Sequence, residues 1–95
     1  MYARLTRISG GQVDDDQVIP MTERIMSEAR KLEGIQGGYW LRSRDSGDLF
    51  AVTLWETEEA MAATEQQAAA LREQATEEAP GGDVTVDHCE VLGQF

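Results

Sequence analysis

The sequence predicts an α+β fold in which one antiparallel sheet carries two helices, with the elements in the order β-α-β-β-α-β. Four segments alternate between apolar and polar residues, as strands do. Two other segments repeat apolar residues at the spacing of a helix. A chain of 95 residues has the length of one domain, which we expect to span residues 1–95, and buries only part of its surface alone.

The composition narrows the classes of function and partner. There are 18 acidic residues and 8 basic ones, and the net charge of −10 argues against a nucleic-acid partner, whose phosphates need cations. No apolar run approaches the roughly 20 residues of a membrane helix, and no secretion leader is recognised, so we expect no membrane association. Cys89 is the only cysteine, which excludes an intrachain disulfide and favours a reducing cytoplasm.

The first strand and the first helix are predicted within residues 1–34. Residues 1–9 alternate as a strand does, and Gly10-Gly11 ends that strand. The acidic run at residues 14–16 suits the start of a helix, where negative charge is favourable, and lacks the further ligands of a metal site. The helix ends at Gly34 and presents one apolar stripe, made of Val18, Met21, Ile25, Ala29 and Leu32.

The next two strands form a hairpin around the segment RDSGDL. A two-residue turn at Ser46-Gly47 predicts a register in which the numbers of paired residues sum to 93. One face of the hairpin is then almost wholly apolar, with Tyr39, Leu41, Phe50, Val52 and Leu54. The other face carries Trp40, Arg42 and Trp55, and Trp55 lies opposite Gly38, whose missing side chain leaves room beside the indole.

A second helix and a last strand complete the pattern. Thr57 is a suitable N-cap, and Glu58 and Glu59 follow in the first turn. The helix carries a thin stripe of mostly small residues, Met61, Thr64, Ala68, Leu71 and Ala75. Residues 79–82 break the chain, and residues 83–93 form the last strand. This order is that of the ferredoxin-like fold, whose helices lie on one side of the sheet.

The sheet face without helices predicts a second copy of the chain. Both faces of the hairpin carry large apolar side chains, but two helices can cover only one face. We therefore expect a homodimer in which two sheets pack face to face.

The segments EGIQGGYWLRSRDSGDLFAVTLWETEEAM and VTVDHCEV resemble the antibiotic biosynthesis monooxygenase domain, a family within the dimeric α+β barrel superfamily. The resemblance covers nearly the whole chain, and its most specific piece is LWETEEAM. It implies a dimer of ferredoxin-like subunits. Relatives include cofactor-independent monooxygenases that turn polycyclic phenols into quinones, haem-degrading enzymes, and many members without an established activity.

The catalytic residues of these relatives are mostly missing. The quinone-forming members carry an Asn four residues before the strand Trp and a Tyr near the start of the second helix; this chain has Ala51 and Met61 there. Only Trp55 matches. The haem-degrading members carry an Asn on the first strand and a Trp and a His on the second helix. This chain contains no asparagine, and its second helix has neither Trp nor His.

The remaining candidate site is a planar aromatic slot. Trp40 and Trp55 could stack on a phenolic ligand while Arg42 supplies a cationic donor, and the alternative is that both indoles are core and Arg42 reaches solvent. His88 is a possible acid or base; the alternative is a surface or interface histidine.

We expect no cofactor and no metal. Two functions stay open: a cofactor-independent monooxygenase acting on an aromatic or phenolic small molecule, and a non-catalytic ligand-binding or stress-associated dimer.

Overall fold

The computed structural model describes residues 1–9, 14–78 and 83–95, with side chains for all of these except residues 74–78. Within these residues the chain forms four strands and three helices: β1 Tyr2–Ser9, α1 Asp15–Ala29, β2 Ile35–Arg42, β3 Leu49–Trp55, α2 Glu58–Ala63, α3 Glu65–Glu78 and β4 Asp83–Glu90. The predicted breaks at Gly10-Gly11 and at residues 79–82 lie outside the described residues, as does the side chain of Ala75.

The strands form one antiparallel sheet in the order β2-β3-β1-β4, so the predicted α+β, ferredoxin-like fold is confirmed. The helices lie on one face of it. Ile8 of β1 and Leu49 of β3 are buried in one cluster with Val18, Met21 and Ile25 of α1. These three α1 residues belong to the apolar stripe that the helical spacing predicted.

The opposite face of the sheet is open in the single chain. The strand pairing places one set of apolar side chains there, Leu5, Tyr39, Leu41, Phe50, Val52 and Leu54. Tyr39 is 64% exposed and Leu41 is 50% exposed. The division of the hairpin into two faces is therefore as predicted, because side chains alternate between the faces of a strand.

The predicted register of the hairpin is wrong by two residues. Paired residues of β2 and β3 sum to 91, as in Trp40 with Ala51 and Arg42 with Leu49. The connection is longer than the predicted two-residue turn: the Ser43 amide donates to the Asp48 carbonyl over 2.8 Å, and the Gly47 amide donates to the Ser43 carbonyl over 3.0 Å.

The Ser43 side chain explains why the longer turn forms. Its hydroxyl oxygen accepts from the amides of Asp45 and Ser46, at 3.2 and 3.1 Å, and so satisfies two backbone donors of the turn. Because a shift of two residues keeps every side chain on its face, the predicted faces survive while the partners change. Gly38 lies opposite Thr53, and Trp55 lies opposite Ile35.

The helix starts follow the predicted chemistry in part. The Thr57 hydroxyl accepts from the Ala60 amide over 3.0 Å, which is the expected cap of α2. At α1, Asp14 occupies the N-cap position without a side-chain cap bond, and Asp15 and Asp16 lie in the first turn. The Asp15 carboxylate instead accepts from the Arg42 guanidinium of β2.

Candidate functional site

A cavity of about 350 Å³ lies between the end of α1 and strand β2; we call it the Trp40 cavity. Gly38, Trp40 and Thr53 line it from the sheet. Met26 and Ala29 line it from α1, and Arg30 lines it from just after that helix. The gap follows from the register. Gly38 stands opposite Thr53 on the helix-facing side of the sheet and contributes no side chain there.

Backbone geometry requires a glycine at position 38. A Cβ atom there would lie 2.5 Å from the carbonyl oxygen of Val52, far closer than packed atoms approach. A β-bulge between Ile35 and Gly37 further interrupts the pairing of β2 beside the cavity. Both features lie on β2, which is an edge strand of the sheet, so the cavity is formed at that edge.

Trp40 both packs and lines the cavity. Its indole is half-buried and contacts the core cluster that includes Ile8 and Leu49. The same side chain forms part of the cavity wall. Of the two predicted alternatives, ligand stacking and core packing, the position of Trp40 is compatible with both at once.

Trp55 lies in the core and is not among the residues that line the cavity. Its side chain is 0% exposed, and its Nε1 donates to the Thr53 hydroxyl oxygen over 2.9 Å. The Arg4 guanidinium carbon lies 5.0 Å from the centre of the indole, a cation–π distance. Trp55 therefore reaches the Trp40 cavity only through Thr53.

Arg42 lies away from the cavity, at the start of α1. Its guanidinium pairs with the Asp15 carboxylate, and its side chain is 47% exposed. The structure thus distributes Trp40, Arg42 and Trp55 along the hairpin and does not gather them in one slot. The cation at the cavity is Arg30, which follows α1, is exposed, and has no acidic partner among the residues that the structure describes.

A charged cluster lies beside Trp55 and is centred on the Glu65 carboxylate. Its Oε2 is 2.9 Å from Arg4 Nη2 and 3.0 Å from His88 Nε2, and its Oε1 is 2.9 Å from Arg72 Nη2. His88, the predicted acid or base, therefore contacts a carboxylate of α3. The Arg4 side chain is only 3% exposed, and it also donates to the Met61 carbonyl.

The charges of the cluster oppose the effect of burial on the pKa of Glu65 and of Arg4. Burial raises the pKa of Glu65, but the hydrogen bonds from His88 and Arg72 and the charge of Arg4 outweigh it and hold that pKa below its usual value. Burial lowers the pKa of Arg4, and the nearby Glu65 carboxylate offsets part of that effect. Glu65 is therefore ionised at neutral pH and balances the buried guanidinium.

Sequence reasoning missed Thr53 and Arg30 as cavity residues. Thr53 lies two residues before Trp55 and hence on the same face, so the correct register of the hairpin would have placed it opposite Gly38. Arg30 lies just after the first helix and belongs to no sequence motif that would mark it as a site residue. Among the described residues no group of three or more His, Cys, Asp or Glu side chains could hold a metal ion. No described helix is long and apolar enough to cross a membrane.

Solved structures of antibiotic biosynthesis monooxygenases share the fold of this chain over nearly its whole length. The N63A mutant of SnoaB, a cofactor-independent oxygenase from Streptomyces nogalater, matches with a TM-score of 0.76 at 14% identity, covering 99% of this chain and 95% of that one. A candidate antibiotic biosynthesis monooxygenase from Deinococcus radiodurans matches with a TM-score of 0.72 at 13% identity, covering 100% and 96%.

A third solved structure contains a ligand. The monooxygenase of the gene ActVA-Orf6 of Streptomyces coelicolor, in complex with Nanaomycin D, matches with a TM-score of 0.69 at 16% identity, covering 99% of this chain and 89% of that one. No protein-family model and no curated protein matches the sequence. The predicted resemblance to the antibiotic biosynthesis monooxygenases is confirmed at the level of the fold, which is what identities this low establish.

Proposed function

From the fold that this chain shares with the antibiotic biosynthesis monooxygenases, we propose that it is a cofactor-independent monooxygenase acting on a planar phenolic small molecule bound in the Trp40 cavity. One observation carries the proposal: a cavity of about 350 Å³ combines an indole wall, apolar side chains and one cation without an acidic partner among the described residues. A volume near the lower end of the usual range of about 300–1,000 Å³ suits a small ligand.

The lining suits an aromatic phenolate in three ways. The Trp40 indole offers a face for ring stacking. Met26 adds a polarizable sulfur, which makes favourable contacts with aromatic rings. The Arg30 guanidinium can donate charge-assisted hydrogen bonds to a phenolate oxygen and so favour loss of the phenolic proton.

The proposed reaction takes its electrons from the substrate. An electron-rich phenol reacts with O₂, and one oxygen atom is added to the ring at a carbon that carries hydrogen. Two hydrogen atoms leave the substrate, one from the ring carbon and one from the hydroxyl, and form water with the second oxygen atom. The substrate is oxidised to a quinone and O₂ is reduced, so no protein group changes its oxidation state.

A non-catalytic ligand-binding or stress-associated protein is the second candidate. The observation that favours it is the identity of Ala51 and Met61, which stand where the quinone-forming relatives carry Asn and Tyr. The described side chains that line the cavity also include no carboxylate and no imidazole to accept a proton. Such a protein would bind the same phenol without consuming oxygen.

Oxygen uptake separates the two candidates. With 1-naphthol and a tricyclic phenol as probes, we expect the monooxygenase to consume one O₂ per quinone formed, measured by an oxygen electrode and quinone absorbance. Arg30→Gln should lower affinity for the phenolate about tenfold, because it removes a charge-assisted hydrogen bond. Lys31→Gln makes the same charge change beside it and should bind like the wild type, since Lys31 pairs with Glu28.

The outcomes are distinct. Binding that Arg30→Gln weakens, without oxygen uptake by the wild-type protein, supports the non-catalytic candidate. Absence of both binding and uptake contradicts both candidates.

We also propose that the working unit is a homodimer in the cytoplasm. The open sheet face with its exposed Tyr39 and Leu41 supports a second copy of the chain as the partner. The single cysteine supports a reducing compartment.

A further inference from the structure

We propose that the Thr53 hydroxyl is the hydrogen-bond donor that holds an oxygen atom of the substrate in the Trp40 cavity, and that Trp55 is the positioning residue that aims it. This inference rests on the proposed function, because it names the group that recognises the substrate at that same site. It also gives the buried Trp55 a role without any contact between its ring and the ligand.

The direction of the Thr53 proton follows from the chemistry of its partner. An indole nitrogen can only donate, so the bond of 2.9 Å between Trp55 Nε1 and Thr53 Oγ1 uses a lone pair of the hydroxyl. The hydroxyl proton is left for another acceptor. Trp55 is fully buried and therefore holds that lone pair in a fixed direction, which restricts where the proton can point.

The neighbours of Thr53 on its own face of the sheet offer no side-chain acceptor. Across the sheet it faces Arg4 of β1 on one side and Gly38 of β2 on the other. A guanidinium only donates, and glycine has no side chain. Along β3 the same face continues with Ala51 and Trp55, which are apolar and donor-only respectively.

The open direction is the cavity. Thr53 lines it, and the missing side chain of Gly38 removes the group that would otherwise cover the hydroxyl. Among the described residues, the Trp55 indole is the one hydrogen-bond partner found for the Thr53 hydroxyl. A ligand oxygen in the cavity would complete the hydroxyl's bonding.

The geometry therefore specifies the substrate further. It is a planar aromatic molecule with an acceptor oxygen, either phenolic or quinone, on the edge that reaches the sheet. Arg30 lines the same cavity from just after α1, so its guanidinium can donate to another lone pair of that oxygen or to a second oxygen of the substrate. A hydrocarbon of the same shape would gain the stacking contact with Trp40 but would leave the Thr53 proton without an acceptor.

The test compares 1-naphthol with naphthalene, which differ by the oxygen atom alone. The readout is the ratio of the two dissociation constants, together with the thermal midpoint of each variant. Thr53→Val should lower the preference for 1-naphthol about three- to tenfold, the usual effect of losing one hydrogen bond. Thr53→Ser keeps the hydroxyl and should keep the preference.

Trp55→Phe tests the positioning role. It removes the indole donor, frees the hydroxyl to rotate, and should lower the preference about threefold. It also leaves Trp40 as the single tryptophan, so its fluorescence reports cavity binding directly. In a Thr53→Val background, Trp55→Phe should not change the preference further, whereas a purely structural effect of Trp55 would persist there.

Each outcome decides a claim. An unchanged preference in Thr53→Val, with wild-type binding intact, overturns the role of Thr53 and leaves the proposed function standing. If Thr53→Val does not fold, the same preference in Trp55→Phe as in the wild type overturns the assignment. A wild-type protein that binds neither probe overturns the proposed function and this inference with it.

Discussion

Glu65 is the residue on which three positive or potentially positive side chains converge. Arg4 comes from β1, Arg72 from α3 and His88 from β4, and all three lie within 3.0 Å of its carboxylate. The Arg4 guanidinium is nearly inaccessible to water, so an ionised partner is needed to offset its desolvation. Glu65 thereby ties the helical layer to two strands of the sheet.

Glu65→Gln should destabilise the protein by about 1 kcal/mol at pH 7, a modest value because the Glu65 side chain is 38% exposed and solvent screens its charge. The pKa of Glu65 lies below its ordinary value of 4.5, so the ionised carboxylate stabilises the fold above pH 4.5. That contribution is lost as the pH falls through the folded-state pKa. The difference between wild type and variant should therefore shrink below pH 4.5.

Denaturant unfolding at several pH values measures this difference. Glu33→Gln is the control, because Glu33 is an exposed residue before β2 and should give a change within about 0.5 kcal/mol at every pH. A pH-independent effect of Glu65→Gln would contradict the electrostatic assignment.

At the scale of elements, the predicted second helix is divided into α2 and α3 at Thr64. Its φ of −100° and ψ of 10° depart from helical values. The Met61 carbonyl accepts from the Arg4 guanidinium and also from the Thr64 hydroxyl, at 3.2 Å for the latter. These two donors compete for the Met61 carbonyl with the backbone amide that would donate to it in a continuous helix. This competition accounts for the break in the helix at Thr64.

The connection from α1 to β2 is fixed by Gly34, which packs against α2. Its φ is +86°, and a Cβ atom there would lie 2.5 Å from the Cβ of Ala60. Gly34→Ala should cost about 2–4 kcal/mol, since it combines left-handed backbone strain with overpacking. Thermal and denaturant unfolding measure the loss.

Gly47→Ala separates the two causes. Gly47 has a similar φ of +80°, but nothing lies within 4 Å of its added Cβ. It should cost only the backbone strain, about 1–2 kcal/mol. Equal losses of stability in Gly34→Ala and Gly47→Ala would show that overpacking against α2 adds nothing to the cost at Gly34.

At the scale of the whole molecule, the sheet has one face covered by helices and one open face. The covered face packs against the core cluster and carries the Trp40 cavity. The open face exposes Tyr39 and Leu41 on β2, and Arg7 and Asp48 form an ion pair there. We expect two such faces to meet in the proposed homodimer.

Light scattering should give a mass of twice 10.5 kDa at micromolar concentration. Leu41→Glu should shift the protein to monomers, because two such faces would each bring a desolvated charge into the interface. Ile19→Glu also changes an exposed aliphatic residue, on α1, and should remain dimeric. A wild-type monomer would contradict the assembly, and dissociation by both variants would contradict the assigned face.

The elements and faces were predictable from sequence because they depend on short-range periodicity. The alternation of β2 and β3 follows from local spacing and is confirmed. The apolar stripe of α1 is confirmed at Val18, Met21 and Ile25. The predicted end of the helix is wrong, because α1 ends at Ala29 and not at Gly34. The register was not predictable from face burial, because pairings two residues apart bury the same side chains. Hydrogen bonds of the Ser43 hydroxyl within the turn decide between them.

The candidate site was not predictable where it depends on contacts between elements. Trp40 lines a cavity beside β2, whereas Arg42 pairs with Asp15 of α1 and Trp55 packs against Arg4 of β1. Asp15 lies 27 positions before Arg42 in the chain, and no local pattern links them. The role of Thr53 depends on its neighbours across two strand pairs, which only the assembled sheet brings together.

The turn at Ser43 has a consequence for how this site could change during evolution. A substitution at the hairpin tip that favours the two-residue turn would slide β2 along β3 by two residues, about 7 Å, without turning any side chain to the other face. The hydrophobic layers would be conserved, but the gap left by the missing side chain of Gly38 would lie beside Trp55 and no longer beside Thr53. A new ligand specificity could thus arise from a residue that never touches the ligand, with the loop selecting which side chain the cavity exposes.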